Sequence, residues 1–181
     1  MLTMKSSLPF LITTPFCHES ESFYGELSEA VLEAFVVYAL SSNKKSVRGV
    51  VSIGEEKILV NASLICSSEV EECLSRFSSA IWKNSEDEIF SMRLSDIFKY
   101  EEFDNVNELK KRASKLISEL SGAQVYVSVS DKTQILAEHS AMIFQAIYMR
   151  SHADDITYDP RVKLNVSEFV ARGVRLESSN Y

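Results

Sequence analysis

The sequence predicts an α+β domain: a mostly antiparallel or mixed sheet of about five to six strands, with about four helices packed on it. Three observations carry this. Two β-rich runs, 47–53 and 57–66, flank the turn Gly54-Glu55-Glu56 and read as a hairpin. Residues 123–130 alternate strictly, with Val125, Val127 and Val129 on one side and Gln124, Tyr126 and Ser128 on the other, as a strand with one wet face requires. Apolar residues at helical spacing fill the stretches between, and no Gly-rich strand-to-helix turn opens a dinucleotide-binding unit.

In chain order, residues 10–14 read as a short strand bracketed by Pro9 and Pro15. Proline cannot donate to a ladder, so this is expected at a sheet edge, within an N-terminal arm over 1–22. The first helix is expected over 23–39, where Leu27, Val31, Ala34, Phe35 and Tyr38 recur at helical spacing. Its glutamates lie near the N-terminus, where the helix dipole favours them. The second strand of the hairpin is so continuously apolar that a central position, covered on both faces, is expected.

Ser68-Glu-Val-Glu71 matches a capping box and opens a second helix to about Trp82. Residues 89–94 read as a strand. A third helix begins at Asn105, with Val106, Leu109, Ala113, Leu116, Ile117 and Leu120 as its stripe. Gly122 ends it as a left-handed cap. Asp131 with Gln134 then resembles another helix start. A fourth helix is expected to Arg150, apolar nearly all round through Ile135, Leu136, Met142, Ile143, Phe144, Ile147 and Tyr148. Val162, Leu164 and Val166 give a last strand, and 174–181 a frayed terminus. No linker divides the chain, so 1–181 is read as one domain.

Composition narrows the function classes. The chain is 45% apolar and 25% charged, too hydrophobic for disorder, and holds only 5 glycines and 3 prolines. No apolar run reaches the length of a membrane span, so no membrane partner is expected. The apolar stretch 8–16 is interrupted by Pro9 and Pro15 and lacks a small-residue cleavage site, which argues against a secretory leader. Three cysteines without a Cys-x-x-Cys pair fit a reducing, cytoplasmic setting.

The net charge of −7 is uneven. Residues 1–108 carry 18 acidic and 9 basic side chains, whereas residues 109–181 carry 8 and 10. The acidic half is unsuited to a phosphate backbone, so any nucleic-acid contact falls to the C-terminal half.

The densest cluster of reactive groups is His152-Ala-Asp154-Asp155. An imidazole and two carboxylates are the material of acid–base or metal-assisted hydrolysis, although their spacing matches no specific ligand set. Cys17-His18 is a poor nucleophile pair, because neighbouring glutamates raise a thiol's pKa. His139 reads as a core or interface histidine with one hydrogen-bond partner. No cofactor and no metal site is indicated.

Lys110, Lys111 and Arg112 on the third helix form a modest cationic surface, and Tyr126 offers a ring for stacking or packing. Phe144 and Tyr148 on the expected apolar helix are the candidate partner contacts. The leading expectation is therefore a non-enzymatic interaction protein: an assembly subunit, adaptor or small chaperone using an apolar helix and an exposed sheet edge. Its partner is expected to be another protein or a second copy. A small hydrolase using His152, Asp154 and Asp155 is the first alternative, and an RNA- or DNA-associated subunit the second.

Overall fold

The structure, a computed structural model, describes residues 4–12, 22–42, 44–72, 89–93, 106–149 and 161–166. It divides into two compact units between which the chain passes three times. The first comprises Met1–Ile65 and Gln124–Ala141, the second Cys66–Ala123 and Met142–Tyr181. The expected α+β class is present as an antiparallel five-stranded sheet with helices. The described strands form two sheets, one of five strands and one of three.

In the first unit, strands β1 (Met4–Ser6), β2 (Ser46–Ile53), β3 (Glu56–Ile65), β5 (Gln124–Ser130) and β6 (Ile135–Met142) lie in the order β1-β2-β3-β5-β6. The hairpin forms where the sequence places it, with Ile53 opposite Glu56. A two-residue turn suits the twist of the strands when its residues take positive φ, and Gly54 does so at 61° without a Cβ penalty.

Strand β3 is central, between β2 and β5, but only one of its faces is covered. Ile58, Val60, Ala62 and Leu64 are buried, whereas Leu59 is 43% and Ile65 56% exposed. The continuous apolar run hides an alternation: Lys57, Asn61 and Ser63 share the open face with Leu59 and Ile65. By register, Arg48, Asn61 and Ser128 form one row across that face, and Ser46, Ser63 and Tyr126 the next.

Helix α1 (Phe23–Ser42) packs on β3 and β5 and supplies much of the core. Leu27, Val31 and Phe35 are fully buried, and Leu32, Val36 and Val37 nearly so. This is the helix that is buried nearly all round, the property the sequence had suggested for residues 131–150. Burial of each such side chain is worth about 1.5–3 kcal/mol.

The N-terminal edge strand is Met4–Ser6, paired antiparallel with β2, rather than residues 10–14. Residues 10–12 lie outside any strand, and 13–14 fall outside the described residues. Ser7 N–H donates to the Val50 carbonyl, and Val50 N–H to Ser7 Oγ at 2.8 Å. Pairing then stops before Pro9, which has no N–H to give. Leu8 folds onto Gly49, the one position of β2 without a side chain to obstruct it. Phe10 stacks against Phe35 and Tyr38.

Residues 131–149, the described part of the expected fourth helix, are not helical. Asp131 Oδ1 accepts from Thr133 N–H, Thr133 Oγ1 and Gln134 N–H, while Asp131 N–H donates to the Gln134 carbonyl. The same side-chain chemistry that caps a helix here closes a turn, and the chain returns beside β5 as β6. After Ile143 it continues as β7 (Phe144–Met149) in the second sheet. Leucine, alanine and methionine favour helix locally, but pairing with β5 and β8 overrides that weak preference.

In the second unit, β4 (Ile89–Arg93), β8 (Arg161–Val166) and β7 form an antiparallel sheet in the order β4-β8-β7. Helix α2 (Val106–Ser121) packs against β7 and buries Leu116 and Leu120 completely. It ends at Gly122, with Gly122 N–H shared between the Ser118 and Glu119 carbonyls and Ala123 N–H bonded to Leu120. Gly54 is the one described glycine with positive φ, so Gly122 closes the helix without a left-handed cap.

A helical segment over 68–72 is capped by Ser67, one residue before the expected Ser68. Ser67 Oγ accepts from Val70 N–H at 3.3 Å and donates to Glu119 Oε2 of α2 at 2.9 Å. The expected continuation of this helix to Trp82 lies outside the described residues.

Candidate functional site

The two edges of the five-stranded sheet differ. Strand β1 is three residues long and carries Lys5, both features that discourage further pairing. Strand β6 is eight residues long, Ile-Leu-Ala-Glu-His-Ser-Ala-Met, with one charged side chain and no proline or lysine. Among the described strands it has β5 on one side and none on the other. Ile135 is 57% and Met142 49% exposed, and Glu138, His139 and Ser140 are exposed between them.

Two contacts to opposite faces hold this edge strand. His139 Nδ1 lies 2.9 Å from Ser28 Oγ on helix α1. On the other face, Glu138 hydrogen-bonds Tyr126, and burial together with that carboxylate raises the tyrosine's pKa. Successive residues reaching opposite faces is the ordinary alternation of a strand, here used to brace it. At the hairpin end, the hydrogen bonds from Thr133 and Gln134 hold Asp131 ionised to lower pH than a free carboxyl. Nearby, Tyr24 of α1 donates to Glu56 Oε1 at 2.5 Å. This bond, then burial, then the charges of Glu56 and Asp131 raise its pKa.

A serine beside a histidine invites comparison with a nucleophile and its base, but this geometry serves structure. Ser28 is fully buried and donates to the Gly25 carbonyl at 2.8 Å, which leaves its oxygen to accept from the imidazole. A nucleophile must reach a substrate carbonyl, and this hydroxyl has no exposed surface. The expected single hydrogen-bond partner of His139 is thus Ser28, but the histidine stands on an exposed strand rather than in a helix core. Its serine partner was not legible, because the two are joined only when β6 folds beside α1.

The other sequence candidates are dispersed. Tyr126 stands on the open face of β5, as its alternation predicts. Lys110, Lys111 and Arg112 lie on α2, with Lys111 and Arg112 exposed. Arg112 is engaged: its guanidinium is 3.4 Å from Glu69, which Lys115 also approaches at 3.8 Å. The cationic stripe is therefore partly neutralised by the 68–72 segment. Phe144 and Tyr148 are on strand β7, in register with Val166 and Val162. The proposed apolar helix presenting them does not exist.

His152, Asp154 and Asp155 lie outside the described residues, as do Cys17 and His18. Among the described residues no cluster of three or more histidine, cysteine or acidic side chains could hold a metal ion. No described helix is long and apolar enough to cross a membrane. No family model, curated protein or solved structure matches the chain.

Proposed function

We propose that the chain is a non-enzymatic protein-interaction domain, of the kind found in assembly subunits, adaptors and small chaperones, that binds by strand addition to β6. The contrast between the sheet's two edges supports this reading. One edge is short and carries a lysine, while the other is long, flanked by exposed Ile135 and Met142, and has one charged side chain and no lysine or proline to protect it. An extended partner strand would gain main-chain hydrogen bonds from β6 and specificity from alternate side chains. The anchors at Ser28 and Tyr126 favour binding because a braced strand loses less entropy on docking.

Site-specific photocrosslinking tests the reading. A benzophenone side chain at Ser140, in the full-length chain and in native extract, should give a discrete protein adduct. The same group at Lys111 should not. Absence of any adduct at Ser140, or equal labelling from both positions, would overturn strand addition at this edge.

A further inference from the structure

We propose that the partner at this edge is a second copy of the chain, with β6 pairing antiparallel to its own counterpart across a two-fold axis at His139. The inference rests on the strand-addition reading and identifies its occupant. Two strands related by a two-fold axis in one continuous sheet keep their faces, so a residue can oppose only positions of the same parity. For a strand spanning Ile135–Met142, the two most complete symmetric registers centre on Glu138 or on His139.

Side-chain chemistry separates these registers. Centring on Glu138 sets two carboxylates directly opposite, at the short Cβ separation where like charges are destabilising. Centring on His139 sets two neutral imidazoles opposite, each with Nδ1 engaged by Ser28 of its own copy, and brings no like charges together. The same register places Ala137 opposite Ala141 and Glu138 opposite the Ser140 hydroxyl. It also sets the half-exposed Met142 against Leu136. Apolar residues meet apolar residues, the single acid meets a donor, and no like charges face each other. A sequence that is self-complementary in one register and self-repelling in its neighbour is suited to pairing with itself in the first. An edge of this length covers far less surface than a permanent dimer interface, so the association is weak and concentration-dependent.

Sedimentation equilibrium on the purified full-length chain, over roughly 1 µM to 1 mM, reads the association directly. The wild type should approach twice the 20.4 kDa chain mass as concentration rises. Ser140 is exposed and faces Glu138 of the other copy twice per dimer. Ser140→Glu should therefore raise the dimer dissociation constant about fivefold, and Ser140→Lys should lower it by a similar factor. Circular dichroism should show both variants folded. A monomer at all concentrations would overturn the second-copy inference, as would a dissociation constant that neither variant moves or that both move in the same direction. If the purified chain stays monomeric while the Ser140 photocrosslink still captures a protein in extract, strand addition stands and the self-pairing alone is lost.

Discussion

Ser28 Oγ of helix α1 and His139 Nδ1 of the edge strand β6 lie 2.9 Å apart, although 111 residues separate them in the chain. This bond ties the outermost strand of the sheet to its covering helix. Ser28→Ala removes an oxygen that bonds both Gly25 and His139, and should cost about 1–2 kcal/mol in urea unfolding. His139→Ala leaves Ser28 bonded to Gly25 and should cost less, about 0.5 kcal/mol. Both should speed amide exchange in β6 more than in β3. Equal exchange in the two strands would show that the bond does not brace the edge.

The Asp131 turn gives a pH signature. Its carboxyl titrates below the ordinary aspartate value of 3.8 because Thr133 and Gln134 hydrogen-bond the ionised form. A depressed folded pKa adds stability that is fully present above the unfolded value and is lost as pH falls through the folded one. Asp131→Ala should therefore lower Tm at pH 7, with the difference from wild type shrinking as pH drops below about 4 and vanishing once Asp131 is protonated in both states. A difference unchanged at pH 2 would locate the effect elsewhere than in the carboxylate.

Tyr24 predicts the opposite limb. Its hydrogen bond to Glu56, with burial and the charges of Glu56 and Asp131, raises its pKa above 10.0. The folded state then holds the phenolic proton more tightly than the unfolded chain, so the associated stability is present below pH 10 and is lost as pH rises through the folded pKa. Glu56→Gln removes the leading cause. The variant's stability should decline less steeply than the wild type's between about pH 10 and 11. Parallel profiles would show that Glu56 does not control this titration.

Gly49 gives a packing prediction. A Cβ there would stand 2.6 Å from Leu8 Cδ2 and 3.1 Å from Ser7 Oγ. Because the nearest atom is the tip of a flexible side chain, Gly49→Ala should cost only about 1 kcal/mol, at the low end for overpacking. It should also loosen the arm that carries Phe10 onto Phe35 and Tyr38. Leu8→Ala should be less harmful in the Gly49→Ala background than in wild type, giving a favourable coupling energy in a double-mutant cycle. Simple additivity would mean that the two residues do not compete for one space.

At the start of the 68–72 segment, Ser67 and Arg112 should rank in a definite order. Ser67→Ala removes a helix cap and the bond to Glu119, and should cost about 1 kcal/mol. Arg112→Ala breaks a pair whose guanidinium side is 45% exposed, and should cost about 0.5 kcal/mol or less. Thermal unfolding reads both. The reverse order would give the ion pair more weight than an exposed contact ordinarily carries.

Much of the first sheet was legible from sequence because local rules and tertiary packing agree there. Val125, Val127 and Val129 alternate with polar neighbours and are all buried. Gly54 stands where a two-residue turn needs positive φ. Leu116 and Leu120 lie on the buried stripe of α2 that their spacing predicted. The candidate edge was legible only as a kind of feature. An exposed strand was expected at residues 10–14, whereas the pairing-competent edge is β6, within a stretch whose composition favours helix.

The sequence by itself determined the α+β class, the β2–β3 hairpin, the alternation of β5 and the boundaries of α1 and α2 to within a few residues. Hydrophobic period and turn chemistry act within ten or twenty residues and need no distant partner to be read. Tertiary structure alone decided that residues 135–149 are two strands in two sheets, that β3 is covered on one face, and that His139 meets Ser28. Strand pairing satisfies backbone donors and acceptors between segments far apart in the chain. An apolar run of ambiguous period, opened by an aspartate that caps a turn as readily as a helix, takes whichever form its neighbours complete.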